Sequence, residues 1–434
     1  MAFARRDVLR AAAGAGTLGL LGGAALELTG EGPSTSRSAD WGEQSPPEPY
    51  DRPTTILVDR ESSRAHDTIQ AAVDAAESET LVLVSPGVYE ESVTVHDTPR
   101  LTIRGADRDG VIVDAGFEGR PGITATADDV VVENLTVTGG SYGVYWSGVE
   151  GYRASHVVAY NNSAPGINGY GIYAFNSEHG RFEHCYASGS DDAGFYIGES
   201  QPAHAVITDC LAEGNAMGFS GTNAGGDFVI KDSVWRDNVV GIVPNTLDSQ
   251  AGAPQGHVAG GVRIEGNEVH SNNDLTAPNS DWAHPIHGCG VAIAGGTRND
   301  VVDNVVRNQA NYGIAVTPIL DDDFYRPDGN AVERNDVSGS GRVDLALAAP
   351  AGDNAFADND FGSARPAFIE RRDGSFGDPW VFLTLFASYL QTELGDVPGG
   401  DVRDQPPPSE ASLDAVAAMD DPVDTPPAPA VGGR

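Results

Sequence analysis

The chain has 434 residues, a formal charge of −37, 40% hydrophobic and 7% aromatic residues. A field of that sign repels phosphate, which disfavours nucleic acid and anionic membrane surfaces as partners. Apolar content of this size excludes wholesale disorder. Glycine is 54 of 434 residues, against roughly 7% in average proteins, so tight turns or close backbone approaches are frequent.

Ala4-Arg5-Arg6-Asp7-Val8-Leu9-Arg10 precedes a weakly apolar Ala/Gly/Leu stretch from Ala11 to Leu28. This resembles a twin-arginine export signal over residues 1–30, which implies passage of the folded protein to the cell surface or outside. No later stretch is long and apolar enough for a membrane span. Lys231 is the single lysine beside 25 arginines, a lysine-poor, acidic composition that resembles proteins of extreme halophiles. At 1 M salt the Debye length falls to about 3 Å and self-repulsion is screened, so stability should depend on salt. Three cysteines, an odd count, exclude a disulfide scaffold.

Residues 31–53 are rich in Ser, Pro and Glu and read as a linker. Next, Ile69, Ala72, Val73 and Ala76 share one helical face behind Asp67 as N-cap. Leu81-Val82-Leu83-Val84 reads as a buried strand, Ser85-Pro86-Gly87 as a turn, and Tyr89 to Val95 as a second strand. Beyond these the signal is repetition. Gly plus an apolar residue recurs at Gly143, Gly171, Gly194, Gly218, Gly241, Gly290 and Gly313, at intervals of 28, 23, 24, 23, 49 and 23. A second column runs through His156, His184, Asp209, Asp232, Asn267, Asn304, Asn335 and Asn359. Three short strands with their turns need a little over about 20 residues, so each interval is one turn of a coil of strands, and 49 is two.

Alternation then sends Val144, Ile172, Phe195, Phe219, Ile242, Val291 and Ile314 inward and the next residue outward. These repeats, with the opening TIQAAVDAAESETLVLVSPGVYEESVTV at 68–95, resemble the right-handed parallel β-helix proteins of the pectin-lyase-like superfamily. The resemblance implies an all-β fold, a right-handed single-stranded parallel β-helix (solenoid) over 54–365 with an N-terminal helical cap. Residues 366–395, with the apolar run Trp380 to Phe386, are expected to close the last turn, and the Pro/Asp/Ala-rich residues 396–434 to form a disordered tail.

Members of that superfamily place carboxylates or basic residues on an outer strand face, often with calcium. The pectinesterase, pectate-lyase and polygalacturonase signatures are absent from this sequence. Asp191 and Asp192 sit at a strand start and loosely resemble the paired aspartates of polygalacturonases. Paired carboxylates can protonate a leaving oxygen or hold a cation; an acidic turn in an acidic protein is the plainer reading. Tyr145, Tyr173 and Tyr196 follow the glycine by two and Asn176, Glu199 and Asn223 by five, on successive turns. Rings flanked by amides and a carboxylate suit sugars, and stacked tyrosines also simply stiffen a sheet. The candidate catalytic residues are Asp191, Asp192, Glu199 and Lys231; the candidate substrate-binding residues are Tyr145, Tyr173, Tyr196, Asn176 and Asn223. Lys231 beside Asp232 reads as base or clamp, or as an ordinary ion pair.

Excursions at 244–263 and 271–288 interrupt the period and are expected to build a binding rim. His284-Pro285-Ile286-His287-Gly288-Cys289 matches no standard metal motif, and no metal ligand is assigned. Asp321-Asp322-Asp323 and Asp328 offer oxygen ligands for calcium, without EF-hand spacing. Cys185 and Cys210 fall on adjacent turns, as a disulfide or a thiol ladder. The expectation is a secreted monomer that acts on or binds polysaccharide, as a lyase or hydrolase; a non-catalytic carbohydrate-binding or cell-surface protein is the alternative, and metal delivery of the NosD kind a third.

Overall fold

The computed structural model describes residues 54–248, 261–321, 323–371, 377–395, 397–425 and 427. The stretches read as export signal and linker therefore lie outside the described residues, as does part of the 244–263 excursion. The chain winds through three parallel sheets in turn: sheet A with 12 strands, and sheets B and C with 11 each. It is a right-handed parallel β-helix, as expected. A two-stranded antiparallel ribbon, Ile319–Leu320 with Phe324–Tyr325, projects from it.

Register makes the core. Val144, Ile172, Phe195, Phe219, Ile242, Val291 and Ile314 pair in one file along sheet C and are all fully buried. The glycine before each has a reason other than a left-handed backbone. A Cβ on Gly143 or Gly171 would stand 2.5 Å from the carbonyl oxygen of the next turn's glycine, and one on Gly218 2.7 Å from that of Gly241. Only a bare Cα lets successive turns approach this closely.

Three amide ladders line the corners. Asn267, Asn304, Asn335 and Asn359 pass hydrogen bonds from Nδ2 to the next Oδ1 at 2.9–3.0 Å, and Asn359 ends on Glu370 Oε1. Asn299, Asn330 and Asn354 form a second ladder, and Asn215, Asn238 and Asn272 a third. The second sequence column splits here into two registers one residue apart. His156, His184, Asp209 and Asp232 occupy the left-handed corner position, which later turns fill with Gly266, Asp303, Arg334 and Asp358. The ladder position follows it, as Cys210, Ser233 and Asn267. Asn, Asp and His all tolerate the left-handed corner, so residue type alone did not separate the two positions.

At the N-terminal end, helix Ile69–Asp74 buries Ile69, Ala72 and Val73. Its N-cap is Thr68 and not Asp67, and the Glu91 carboxylate accepts from the amides of Ile69 and Gln70 at 2.8 and 3.0 Å. At the other end the cover is the short 3-10 turn Ile369–Arg371, whose Ile369 joins the core. The apolar run expected to close the coil instead forms helix Pro379–Glu393, which lies along the outer face of sheet C. Val381 and Leu385 pack on Ala292, Ala315 and Ala346, and Thr384 Oγ1 meets Tyr312 Oη at 2.5 Å. Alanines leave room there for a helix. Among the described residues no helix is long and apolar enough to cross a membrane.

The expectation of a disordered tail is corrected for residues 397–425, which run back along the coil as a strap. Ser412 donates to Glu213 at 2.5 Å, and Val416 packs on Val158, Tyr186 and Leu211 of sheet B. Arg108 Nη1 donates to Val416 O at 2.8 Å, and Arg104 Nη1 to Pro422 O and Thr425 O at 2.9 and 2.6 Å. Arg104 is fully buried with Glu133, their charges 2.6 Å apart. Guanidinium groups on backbone carbonyls hold a segment whose composition alone would leave it unfolded.

Because the rung glycines set turn-to-turn contact, Gly218→Ala is expected to cost about 1–3 kcal/mol, read as a lower midpoint in denaturant with unchanged slope. An unchanged midpoint would mean the turns are not in this contact.

Candidate functional site

Sheet C carries an aromatic patch on its outer face. Tyr145, Tyr173 and Tyr196 stand opposite one another on three successive strands, Tyr142–Ser147, Tyr170–Phe175 and Ala193–Gly198. Tyr145 stacks on Tyr173 at 4.6 Å between ring centres, and Tyr173 meets Tyr196 edge-on at 4.9 Å. Two further tyrosines, not singled out from sequence, complete the patch: Tyr142 lies 5.0 Å from Tyr145, and Tyr170 lies 4.6 Å from Tyr173 and 4.7 Å from Tyr196. Both precede the rung glycine, where the Tyr-Gly dipeptide recurs one period apart; that was the available signal. Tyr142, Tyr145 and Tyr170 remain partly exposed, while Tyr173 and Tyr196 are 8% and 7% exposed.

On the C-terminal side of the patch the face is roofed. Beyond the patch, Met217, Val240, Ala292 and Ala315 lie under Ala277, Ala283 and Ile286 of the 271–288 excursion and under helix Pro379–Glu393. This excursion thus lies on sheet C, the sheet that carries the tyrosines, over its later turns. On the other flank the loop 161–169 is pinned by Asp191, whose carboxylate accepts from Ser163 Oγ at 2.5 Å and Gly169 N at 2.6 Å.

The two aspartates divide. Asp191 is committed to the loop, and burial raises its pKa despite those bonds. Asp192 is 3% exposed and lies beneath the tyrosines, hydrogen-bonded to Tyr170. Burial first, then the charge of Asp191, pushes its pKa up to about 8, so it holds a proton at neutral pH. Burial likewise raises Tyr142, Tyr170, Tyr173 and Tyr196, with Asp192 adding to each, so the hydroxyls stay protonated. The patch is a neutral surface of rings and hydroxyls over a neutral acid.

Glu199 stands at the edge of the patch, where its charge reaches Tyr196. It sits at the far end of the strand, roughly 20 Å from Asp192 at about 3.3 Å per residue. There it takes a left-handed conformation and accepts from Asn223 Nδ2 at 2.9 Å. Asn176 and Asn223 hold the same corner on neighbouring turns, with φ of 48° and 52°. These three side chains build the corner between sheets C and A. Lys231 lies on sheet A, opposite Glu265 and 3.9 Å from Asp232, away from the patch. The structure thus brings Tyr145, Tyr173, Tyr196 and Asp192 together, sets Glu199 with Asn176 and Asn223 at the corner that borders Tyr196, and leaves Lys231 elsewhere.

Of the remaining candidates, Cys185 and Cys210 are buried free thiols, donating to Glu183 O and Thr208 O at 3.2 Å. Asp321 and Asp323 are tied to Asp248, which also accepts from Tyr325 at 2.6 Å; Asp322 lies outside the described residues. Asp328 accepts from Asp353 N at 2.7 Å. His284 and His287 stack at 5.0 Å on the 271–288 excursion. One group escaped the sequence reading: donor atoms of Glu178, His179 and His204 lie within 4.8 Å of one another. Its signal was present, since His179 and His204 are 25 residues apart, the same interval as Cys185 and Cys210.

The profile of the right-handed β-helix region family matches residues 142–318. No curated protein matches the sequence. Similar solved structures include the A-module of Azotobacter vinelandii mannuronan C-5 epimerase AlgE4, at 18% identity, covering 71% of this chain and 92% of that one, TM-score 0.47. A GH136 lacto-N-biosidase from Eubacterium ramulus is 12% identical, covering 71% and 67%, TM-score 0.48. The pectin methylesterase PemA of Erwinia chrysanthemi is 13% identical, covering 52% and 80%, TM-score 0.35. Each likeness is to the coil, at identities too low to carry a residue's role across.

A carboxyl whose pKa stands near 8 in the fold and at 3.8 in the open chain makes the folded form bind the extra proton between those values. Its contribution is therefore full below about pH 4 and is lost as pH rises towards 8. Asp192→Asn keeps the shape without the titration. Its stability relative to wild type should rise from pH 5 to pH 8.5 in denaturant titrations; a parallel pH course in both proteins would mean Asp192 is already ionised.

Proposed function

We propose that this protein binds a polysaccharide chain along the outer face of sheet C, at the patch of Tyr142, Tyr145, Tyr170, Tyr173 and Tyr196. The observation that carries this reading is the convergence of five rings over one protonated carboxyl, partly open where the later turns of the same face are roofed. Rings offer the apolar faces that sugars stack on, and hydroxyls with a neutral acid offer both donors and acceptors to sugar hydroxyls. The substrate class we infer is a neutral glycan. With Asp192 neutral, the charged groups that act on the patch are Asp191, on Asp192, and Glu199, on Tyr196, and neither is a cation. A uronate chain would find no counter-charge on this neutral patch, and would approach a molecule of charge −37. Export by the twin-arginine route and work in concentrated salt outside the cell belong to the same proposal.

Binding is favoured over hydrolysis by paired carboxylates. Asp192 and Glu199 stand far beyond the separation of about 5–9.5 Å that such pairs need. A second reading, that the site also does acid catalysis, is favoured by the proton on Asp192, which can reach a ligand through Tyr170.

The test is affinity for a panel of neutral and uronic polysaccharides in molar salt. A neutral chain should bind, and Tyr145→Ala should weaken it about tenfold, as loss of one stacked ring implies. Absence of binding by every neutral chain, or binding indifferent to Tyr145→Ala, would overturn the proposal. Release of new chain ends, lost in Asp192→Asn, would establish the second reading.

A further inference from the structure

The coil repeats its corners, and one corner collects metal-ligating chemistry that the sugar site does not use. At the start of the sheet A strands of three successive turns the chain passes through a left-handed residue, His179, His204 and Asp227, with φ of 58°, 44° and 53°. Stacking turns therefore stacks the side chains. The imidazoles of His179 and His204 lie 4.9 Å apart and 9° from parallel, and Glu178 reaches the same point from beside them. Glu178 is exposed and the two histidines are half-buried, so the place opens to solvent.

We propose that Glu178, His179 and His204 form a site for one first-row divalent transition ion of the zinc class. Three observations support it. The donor atoms already lie within 4.8 Å of one another; bonds of about 2.0–2.2 Å in a tetrahedron place donors about 3.4 Å apart. Small side-chain rotations that open the parallel rings into a V close that gap. His179 Nδ1 is shut from solvent with no hydrogen-bond partner, a buried polar atom that an ion, or the ring turned to meet one, would satisfy. Asp227 Oδ2 stands 3.4 Å from His204 Nδ1. A carboxylate on that nitrogen holds its proton there and leaves Nε2 with the lone pair, the arrangement that orients a ligating histidine. Two neutral imidazoles and one carboxylate make a donor set of borderline softness, suited to zinc more than to calcium, with a fourth position left to water.

Among the described residues the other stacked histidines do not combine these features. His156 and His184 stack at 4.8 Å, but the neighbouring Glu183 is held by Arg153 and Arg181, and Arg153 and Arg108 place positive charge against His156. His287 Nδ1 bonds to His284 O at 2.8 Å within its own turn. The Glu178 corner combines paired rings, an orienting carboxylate and an uncommitted acid.

The test uses the full chain, stripped with a chelator and kept in the salt that holds it folded, titrated with Zn2+ alone by calorimetry. One ion per chain should bind, at least tenfold weaker in His204→Asn and several-fold weaker in Glu178→Gln. Asparagine is chosen because it tolerates the left-handed corner; Glu178→Gln alters only an exposed side chain. His156→Asn should leave binding unchanged. Cu2+ bound to the wild-type protein gives a reading independent of any variant, since its electron paramagnetic resonance should show two imidazole nitrogens. No stoichiometric Zn2+ binding, binding indifferent to His204→Asn, or a copper spectrum without two nitrogens would overturn the proposal.

Discussion

Contact between successive turns governs everything else in this molecule. Most rung glycines leave no room for a methyl group below a carbonyl of the next turn, and that closeness puts the strands in step. Once the turns are in step, like positions form files: apolar residues into a continuous core, asparagines into amide ladders, tyrosines into a patch, histidines into a pair. None of these groupings is local in sequence. Parallel pairing also satisfies the backbone donors and acceptors of every inner turn, leaving only the ends to be covered.

The ends and the outer faces show how an acidic chain of this kind finishes its fold. Helix Ile69–Asp74 closes one end and the turn Ile369–Arg371 the other, while Glu370 terminates an asparagine ladder by supplying a last acceptor. Helix Pro379–Glu393 and the strap after it use outer faces of the coil instead. The strap depends on arginine: Arg104 and Arg108 reach five backbone carbonyls of residues far along the chain. Where nearly all basic residues are arginine, planar donors with several N–H groups are available for this task in a way that lysine would not match.

Much of the coil was legible because its signal repeats. Glycine followed by an apolar residue names both the rung and the inward side chain, and the residue after that is then outward, which is why Tyr145, Tyr173 and Tyr196 could be aligned unseen. Where a position is defined by conformation, the reading slipped: His156 to Asp232 and Asn267 to Asn359 look like one polar column but occupy neighbouring places in the corner. Glu199, Asn176 and Asn223 were in file as expected, yet a file at a corner builds the corner. Tyr142 and Tyr170 went unseen because they precede the glycine, and a bend at the rung carries them back over the patch. Helix Pro379–Glu393 is apolar on most sides, so its pattern could not say which surface it would cover. The strap's composition suggested disorder because its partners, Arg104 and Arg108, lie some 300 residues earlier. The burial that keeps a proton on Asp192 is a property of the assembled roof and loop, and no local motif announces it.

Direct evidence for the register would come from chemistry across it. Cysteines in place of Tyr145 and Tyr173, which stand opposite each other on neighbouring strands, would have Cα atoms about 4.8 Å apart, within disulfide range. Mild oxidation should join them in the native protein, detected as a linked peptide pair, while Tyr145→Cys with Phe175→Cys should stay reduced. Equal linking of both pairs, or linking of neither, would contradict the alignment on which the patch, the ladders and the histidine pair all rest.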